Sequence, residues 1–387
     1  MTANRPPEAS PYPTEPPAAA PYQVGRARTV LRAVAMVSCL PYIGLKAAWI
    51  AGGRVGVPDG SPLLDGGAAL RVANGVTVLM DAAVIVLALL LTRPWGRRVP
   101  AWLLVAPMWV ASGLLLPIMT GFPIQLLVRL LGGGDGRPVG EAASEPFLDP
   151  WVFGVVYGGF IVQGLALGAL FALYAKERWG RLWQGRLRDL PESPTAPALR
   201  ATAVAAALAA LLPGIAHLLW AAGSTAGLNA GRAADRTSDF YVLEAVNLLF
   251  VVVTVVGVLL LAFRRTGRLP LRLPLVLVWA GSAETACWGG WLSMAALMGA
   301  GEAADQPTAA MTVTYAGQML AGALVATLGA YFFAERAAAA SVLPATAGGP
   351  EPDPAAASAP AASAVPAAST ASTASAVSAP SSGSRVS

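Results

Sequence analysis

Charge is what this chain most lacks. Only 12% of its 387 residues are Asp, Glu, Lys or Arg, against about 25% in soluble domains. So few charges cannot cover a surface in water when 56% of the residues are hydrophobic, which excludes a soluble fold. Histidine is nearly missing too. His217 stands alone, so a His-rich metal site is excluded and any Ser/His/acid triad would depend on that one ring, without a Gly-x-Ser-x-Gly elbow beside it. The two cysteines, Cys39 and Cys287, fall in different apolar segments. They form no metal cluster or redox pair and are read as small buried apolar side chains. A phosphate loop ending in Lys-Ser or Lys-Thr is missing, as is a His-Glu-x-x-His helix. No catalytic role, cofactor or metal is therefore expected.

Long apolar runs are what the chain has in place of charge. Eight of them, centred roughly on Leu40, Ala82, Val110, Val162, Ala210, Val253, Thr285 and Leu324, each reach the about 20 residues that cross an about 30 Å hydrocarbon core. The basic residues then set an orientation. They concentrate from Arg5 to Arg32, Arg93 to Arg98, Lys176 to Arg200, Arg264 to Arg272 and Arg336 to Arg385, whereas the alternate loops hold only Arg54, Arg71, Arg129, Arg137, Arg232 and Arg236. Those alternate loops also carry Asp135, Glu141, Glu145, Asp149, Glu302 and Asp305. The positive-inside rule places both termini in the cytoplasm. The net charge of +5 thus reflects topology. Nucleic acid is not an expected partner, because the basic residues are scattered over short loops without a recognition motif; the lipid bilayer is.

The spans repeat. Lys46, Trp49, Gly52 and Gly56 have the same spacing as His217, Trp220, Gly223 and Gly227. Asn74 matches Asn247, and Arg98, Pro100, Trp109 and Ser112 match Arg268, Pro270, Trp279 and Ser282. Tyr157, Gly159, Gly164, Glu177 and Arg178 match Tyr315, Gly317, Gly322, Glu335 and Arg336. These are informative residue types kept in order, which apolar composition alone does not produce. The expected fold is an all-α membrane bundle of eight transmembrane helices in two four-helix repeats. An even number of spans per repeat makes the two parallel. The divisions are a Pro/Ala-rich tail (1–28), repeat 1 (29–180), a basic cytoplasmic linker (181–198), repeat 2 (199–338) and an Ala/Ser/Pro-rich tail (339–387). The tails lack the large apolar side chains that ordering requires, and the first does not have the form of a cleavable signal.

Local features refine this picture. Gly154 with Gly158 and Gly164 with Gly168 are small residues four apart, the pattern of close helix contacts. Pro123 is expected to end the third span, with 124–131 forming a short interfacial helix. The functional candidates are the ionisable residues at membrane depth, Lys46, Asp81, His217 and Glu284, since a charge in hydrocarbon must be paired, neutralised or hydrated. Two local pairs, Lys46 with Asp81 and His217 with Glu284, would neutralise the bundle. Alternatively the two acids share a cation or proton site between the halves, with Asn74, Asn247, Gln163 and Gln318 as neutral polar support.

The run Leu40, Pro41, Tyr42, Leu45, Lys46 and Trp49 before Gly52 and Gly53 resembles multi-pass membrane proteins of actinobacteria that have no assigned activity. The resemblance implies a plasma-membrane location and no particular chemistry; the second half departs from it in having His217 in place of the lysine. Two functional classes follow: an accessory or scaffold membrane protein whose buried charges specify packing, and a transporter or channel for a small solute or ion. An enzyme is not expected.

Overall fold

The computed structural model describes residues 25–64, 67–134, 148–191, 193–264, 268–297 and 306–346. Among these the chain is all-helical: α1 (Arg26–Ile50), α2 (Gly67–Thr92), α3 (Trp102–Leu130), α4 (Pro150–Trp179), α5 (Ala196–Ala221), the short α6 (Ala230–Ala234), α7 (Ser238–Phe263), α8 (Arg272–Leu297) and α9 (Ala309–Thr346). Most of the two tails, residues 1–24 and 347–387, lies outside the described residues, as do Asp135, Arg137, Glu141, Glu145, Glu302 and Asp305; residues 26–28 and 339–346 of those tails are helical. The packing falls within one compact unit, Met1–Ala339; Ala340–Ser387 is a second unit, of which residues 340–346 are described and helical.

Seven helices are long and apolar enough to cross a membrane, and the chain is a multi-pass helical membrane protein. Its surface agrees. Val37, Leu79, Leu165 and Leu208 are 60–70% exposed in the middle of four different helices, positions that a soluble bundle would give to polar side chains.

The long helix outside that set is α8, and its surroundings explain its composition. Residues 281–286 are all buried where α8 packs against α3, α7 and α9. A Cβ added at Gly281 would lie 2.6 Å from Thr254 Oγ1, and one at Gly289 2.7 Å from the Tyr315 carbonyl oxygen. A helix whose centre is enclosed by other helices needs small side chains there for close approach more than large apolar ones for lipid.

α1, α2 and α4 pack together, α5 packs on α7, and α3 joins the two groups by crossing α8 and α7. At the α3–α8 crossing the indole of Trp109 donates to Ser282 Oγ at 3.1 Å and the indole of Trp279 donates to Ser112 Oγ at 3.2 Å. Trp279 also stacks on Phe171 of α4 at 5.1 Å.

α1 and α5 end in the same way. Gly52 (φ 88°) and Gly223 (φ 96°) take the left-handed conformation after the last turn. The amides of Gly53 and Ser224 then bond back to the carbonyls of Ala48 and Leu219, closing a glycine-terminated cap. In each case the helix's last tryptophan folds over the turn, with Trp49 donating to the Val55 carbonyl at 2.8 Å and Trp220 to the Ala226 carbonyl at 2.9 Å. The next glycine anchors a later helix. The Gly56 carbonyl accepts from the Asp149 amide at the start of α4, and the Gly227 carbonyl from the Thr308 hydroxyl at the start of α9. Gly56 (φ 71°) has Val152 Cγ2 2.3 Å from where a Cβ would stand, while around Gly52 the space is open. Gly56→Ala should therefore cost more than the about 1–2 kcal/mol of a left-handed alanine alone, and Gly52→Ala about that amount, measured as unfolding midpoints in detergent.

Two local expectations are corrected. α3 does not stop at Pro123; it runs unbroken to Leu130 with Pro107, Pro117 and Pro123 inside it. Its last turns lie along α7, where Gly121 meets Leu243 and Arg129 pairs with Asp239 at 2.8 Å, and this contact outweighs the lost backbone bond. The spaced glycines of α4 do not form a contact stripe either. Space beside Gly154, Gly158 and Gly168 is open, and only Gly164 meets a neighbour, Met119.

One end of the bundle gathers the basic segments. Glu177 pairs with Arg28 and Arg97, Arg178 donates to the Val99 carbonyl, and Glu335 accepts from Ser193 and Thr195. The segment expected to be a linker is part of this packing. Leu187 is buried in the core under α5, α7 and α8, Arg186 bridges to Pro270, and α5 begins at Ala196.

Candidate functional site

The polar groups inside the bundle form separate clusters, one of them built around a residue that the sequence reading missed. Glu244, one turn before Asn247 on α7, is 1% exposed. Its Oε2 meets His217 Nδ1 of α5 at 2.5 Å, and its Oε1 accepts from Arg232 of α6 at 2.8 Å. With Nδ1 against a carboxylate, that nitrogen carries the ring proton, which leaves Nε2 buried without a partner. Arg232 also donates to the Tyr315 hydroxyl of α9 at 3.1 Å and lies over the Phe240 ring.

Local structure sets up this network. Asn229 caps α6 by accepting from the Arg232 amide at 2.8 Å, and Thr237 caps α7 by accepting from the Phe240 amide. These two caps aim Arg232 and Glu244 at each other. The His217 ring is held edge-on by Trp220. The Glu244 carboxylate joins α5, α6 and α7 by its two bonds, and Arg232 extends the network to α9 through Tyr315. The Glu244 carboxylate thus faces the Arg232 guanidinium, and pairing of this kind is the condition for keeping an acid at this depth.

In the first half Lys46 Nζ donates to Asn74 Oδ1 at 2.8 Å and lies 4.8 Å from the Trp49 ring and 5.1 Å from the Tyr42 ring. Two turns further along α2, Asp81 accepts from Gln163 Nε2 of α4 at 3.2 Å. In the second half Gln318 donates to Asn247 at 3.4 Å. Glu284, fully buried, accepts from its neighbour Thr285, whose hydroxyl also meets Thr254 at 2.9 Å.

The supporting amides thus fall beside charged groups or each other, but the expected charge pairs do not form. Lys46 is held by Asn74 rather than Asp81, and His217 by Glu244 rather than Glu284. The reason is depth. Lys46 and Asn74 sit near one end of their helices while Asp81 lies about 10 Å further in, seven residues at 1.5 Å each. Nor do the acids share a site. α2 packs on α1 and α4, while α8 packs on α7 and α3, so Asp81 and Glu284 belong to different helix groups. Among the described residues no cluster of three or more His, Cys, Asp or Glu is placed to hold a metal ion.

Glu244 was legible in one respect: three residues before Asn247 is one turn on the same face, so an intramembrane Asn extended by a Glu marks a polar stripe. Arg232 carried no comparable signal, since its role depends on the fold of the α5–α7 connection.

Fold and site together define an integral membrane helix bundle with polar clusters between its helices. No protein-family model, curated protein or solved structure matches the chain.

Proposed function

We propose that the chain is an accessory or scaffold protein of the bacterial plasma membrane, with eight spans in two parallel four-helix repeats, both termini cytoplasmic, and intramembrane charges that fix how the helices pack. The observation that carries this is the closed His217–Glu244–Arg232–Tyr315 network, in which the charged groups are spent on each other and on joining four helices. The repeat reading draws on paired contacts at matching positions: the reciprocal Trp109–Ser282 and Trp279–Ser112 bonds, the twin glycine caps after Trp49 and Trp220, and the approach of Gly159 to Ser38 and of Gly317 to Ala209. In this reading α8 is the eighth span, with its centre, residues 281–286, buried among its neighbours.

A second reading, a transporter or channel for a small solute or ion, is favoured by Asp81 Oδ2 and Glu284 Oε1, buried acceptors without a donor. The two readings separate experimentally. Reporter fusions after Arg98, Arg188 and Arg268 should all report cytoplasm; a periplasmic result at any of them removes the eight-span topology. Native-gel profiles of membrane complexes from a deletion strain should show an assembly shifted and restored by complementation, with metabolite uptake and export unchanged. An unchanged complex profile together with a solute flux altered by Asp81→Asn or Glu284→Gln would replace the scaffold with the transporter.

A further inference from the structure

Asp81 and Gln163 are joined across α2 and α4, with each side chain left short of the same thing. Asp81 is 4% and Gln163 1% exposed. The single bond between them uses Gln163 Nε2 as donor and Asp81 Oδ1 as acceptor. What remains is Asp81 Oδ2 and Gln163 Oε1, both buried and both without a partner. Two oxygen acceptors stranded on side chains already in contact lack one hydrogen between them, and a buried polar group left unsatisfied is costly, more so when charged.

The neighbours do not supply that hydrogen. On α1 the flanking titratable groups are Cys39 and Tyr42; the Cys39 thiol donates to its own helix at the Ala35 carbonyl, and the Tyr42 hydroxyl is hydrogen-bonded with Thr77. On α2 the Thr77 hydroxyl donates to the Asn74 carbonyl. On α4 the next titratable group is Tyr157, beside Tyr42. α3 carries no titratable residue before Arg129. The intramembrane cation Lys46 is engaged by Asn74 two turns away.

We infer that Asp81 and Gln163 form a proton-binding site within the membrane, where Asp81 takes up one proton at Oδ2 and donates it to Gln163 Oε1. The step is a simple protonation, a carboxylate plus a proton giving a carboxylic acid, and it turns a one-bond contact with two stranded acceptors into a two-bond acid–amide pair. A metal cation fits poorly, because two oxygens fall well short of the about six that hard cations take. The inference goes beyond the scaffold reading and stands independently of it.

The test uses the full chain in lipid nanodiscs and measures infrared absorption in the protonated-carboxyl region at neutral pH. The parent minus Asp81→Asn difference should contain one protonated C=O band; a band from Glu284 would persist in both spectra and cancel. Gln163→Leu should shift that band to higher frequency, because its hydrogen-bonded partner is gone. No band in the difference spectrum, or one that Gln163→Leu leaves in place, overturns the inference. Thermal unfolding gives an independent arm. Asn at 81 presents an N–H where the acid presents its O–H, so Asp81→Asn should unfold at the parent temperature and Asp81→Ala clearly below it. If Asp81→Asn falls as far as Asp81→Ala, or if sodium or potassium raises the parent midpoint and not that of Asp81→Asn, Asp81 is ionised and holds a cation, and the proton site is wrong.

Discussion

Glu244→Ala should be the most destabilising single truncation inside the membrane-spanning bundle, lowering unfolding free energy by roughly 3–5 kcal/mol, the range for removing one partner of a buried ion pair. The carboxylate touches both His217 and Arg232. Its removal strands the His217 ring, which is 2% exposed and already has Nε2 without a partner. It also frees Arg232, whose side chain is 32% exposed and can turn part of its charge to water, which moves the expected value toward the lower end of the range. Glu244→Gln keeps the volume and one acceptor, so it should lose about half as much. The decisive measurement is a double-mutant cycle of Glu244→Gln with Arg232→Gln in denaturant titrations of detergent-solubilised protein. A network predicts a coupling of about 0.5–3 kcal/mol. Losses that add within about 0.5 kcal/mol would mean that Arg232 only passes by the acid. Because Arg232 sits on α6 between α5 and α7, the variant should also expose that connection to protease before the rest of the chain.

Membrane class could be read from the sequence because it depends on one-dimensional properties, the scarcity of charge and the length of apolar runs. The ends of α1 and α5 were legible for the same reason: Trp49-x-x-Gly52 and Trp220-x-x-Gly223 are local signals, and glycine is the residue that a left-handed cap demands. Legibility failed where a neighbouring helix decides. Pro123 is a stop signal by itself, but the Arg129–Asp239 pair and the contact of Gly121 with Leu243 keep α3 going. Gly154, Gly158 and Gly168 look like a packing stripe, yet the rotation of α4 turns them to open space. Lys46 is half-buried and Asp81, His217 and Glu284 are buried, but residue type does not reveal depth along a helix, and depth gives Lys46 to Asn74 and His217 to Glu244.

Gly113→Ala should have the second large effect, and it probes the joint between the two helix groups directly. The missing Cβ would stand 2.2 Å from the Ala283 carbonyl oxygen and 2.8 Å from Cys287 Cβ. The obstruction is α8 backbone, which cannot rotate out of the way as a side chain can. Ordinary contact begins near 3.4 Å, so α3 and α8 must separate by about 1 Å at this point, a strain of the kind that costs about 1–3 kcal/mol in a packed core. The Trp109–Ser282 and Trp279–Ser112 bonds, at 3.1 and 3.2 Å, flank the same crossing and would stretch beyond hydrogen-bonding distance, adding roughly 0.5–1.5 kcal/mol each. Gly154→Ala and Gly168→Ala serve as controls: nothing lies within 4 Å of either position, and alanine is the better helix former by about 1 kcal/mol, so both should match or exceed the parent in thermal midpoint. Equal midpoints for Gly113→Ala and Gly154→Ala would show that α3 and α8 do not cross this closely. A fall confined to Gly113→Ala, accompanied by a change in the fluorescence of Trp109 and Trp279, would mean that the two groups are locked at their centre. A locked centre favours fixed packing over a rocking motion between the halves, because α3 and α8 cannot slide past each other while two reciprocal indole bonds and a backbone-to-backbone contact hold the same turn.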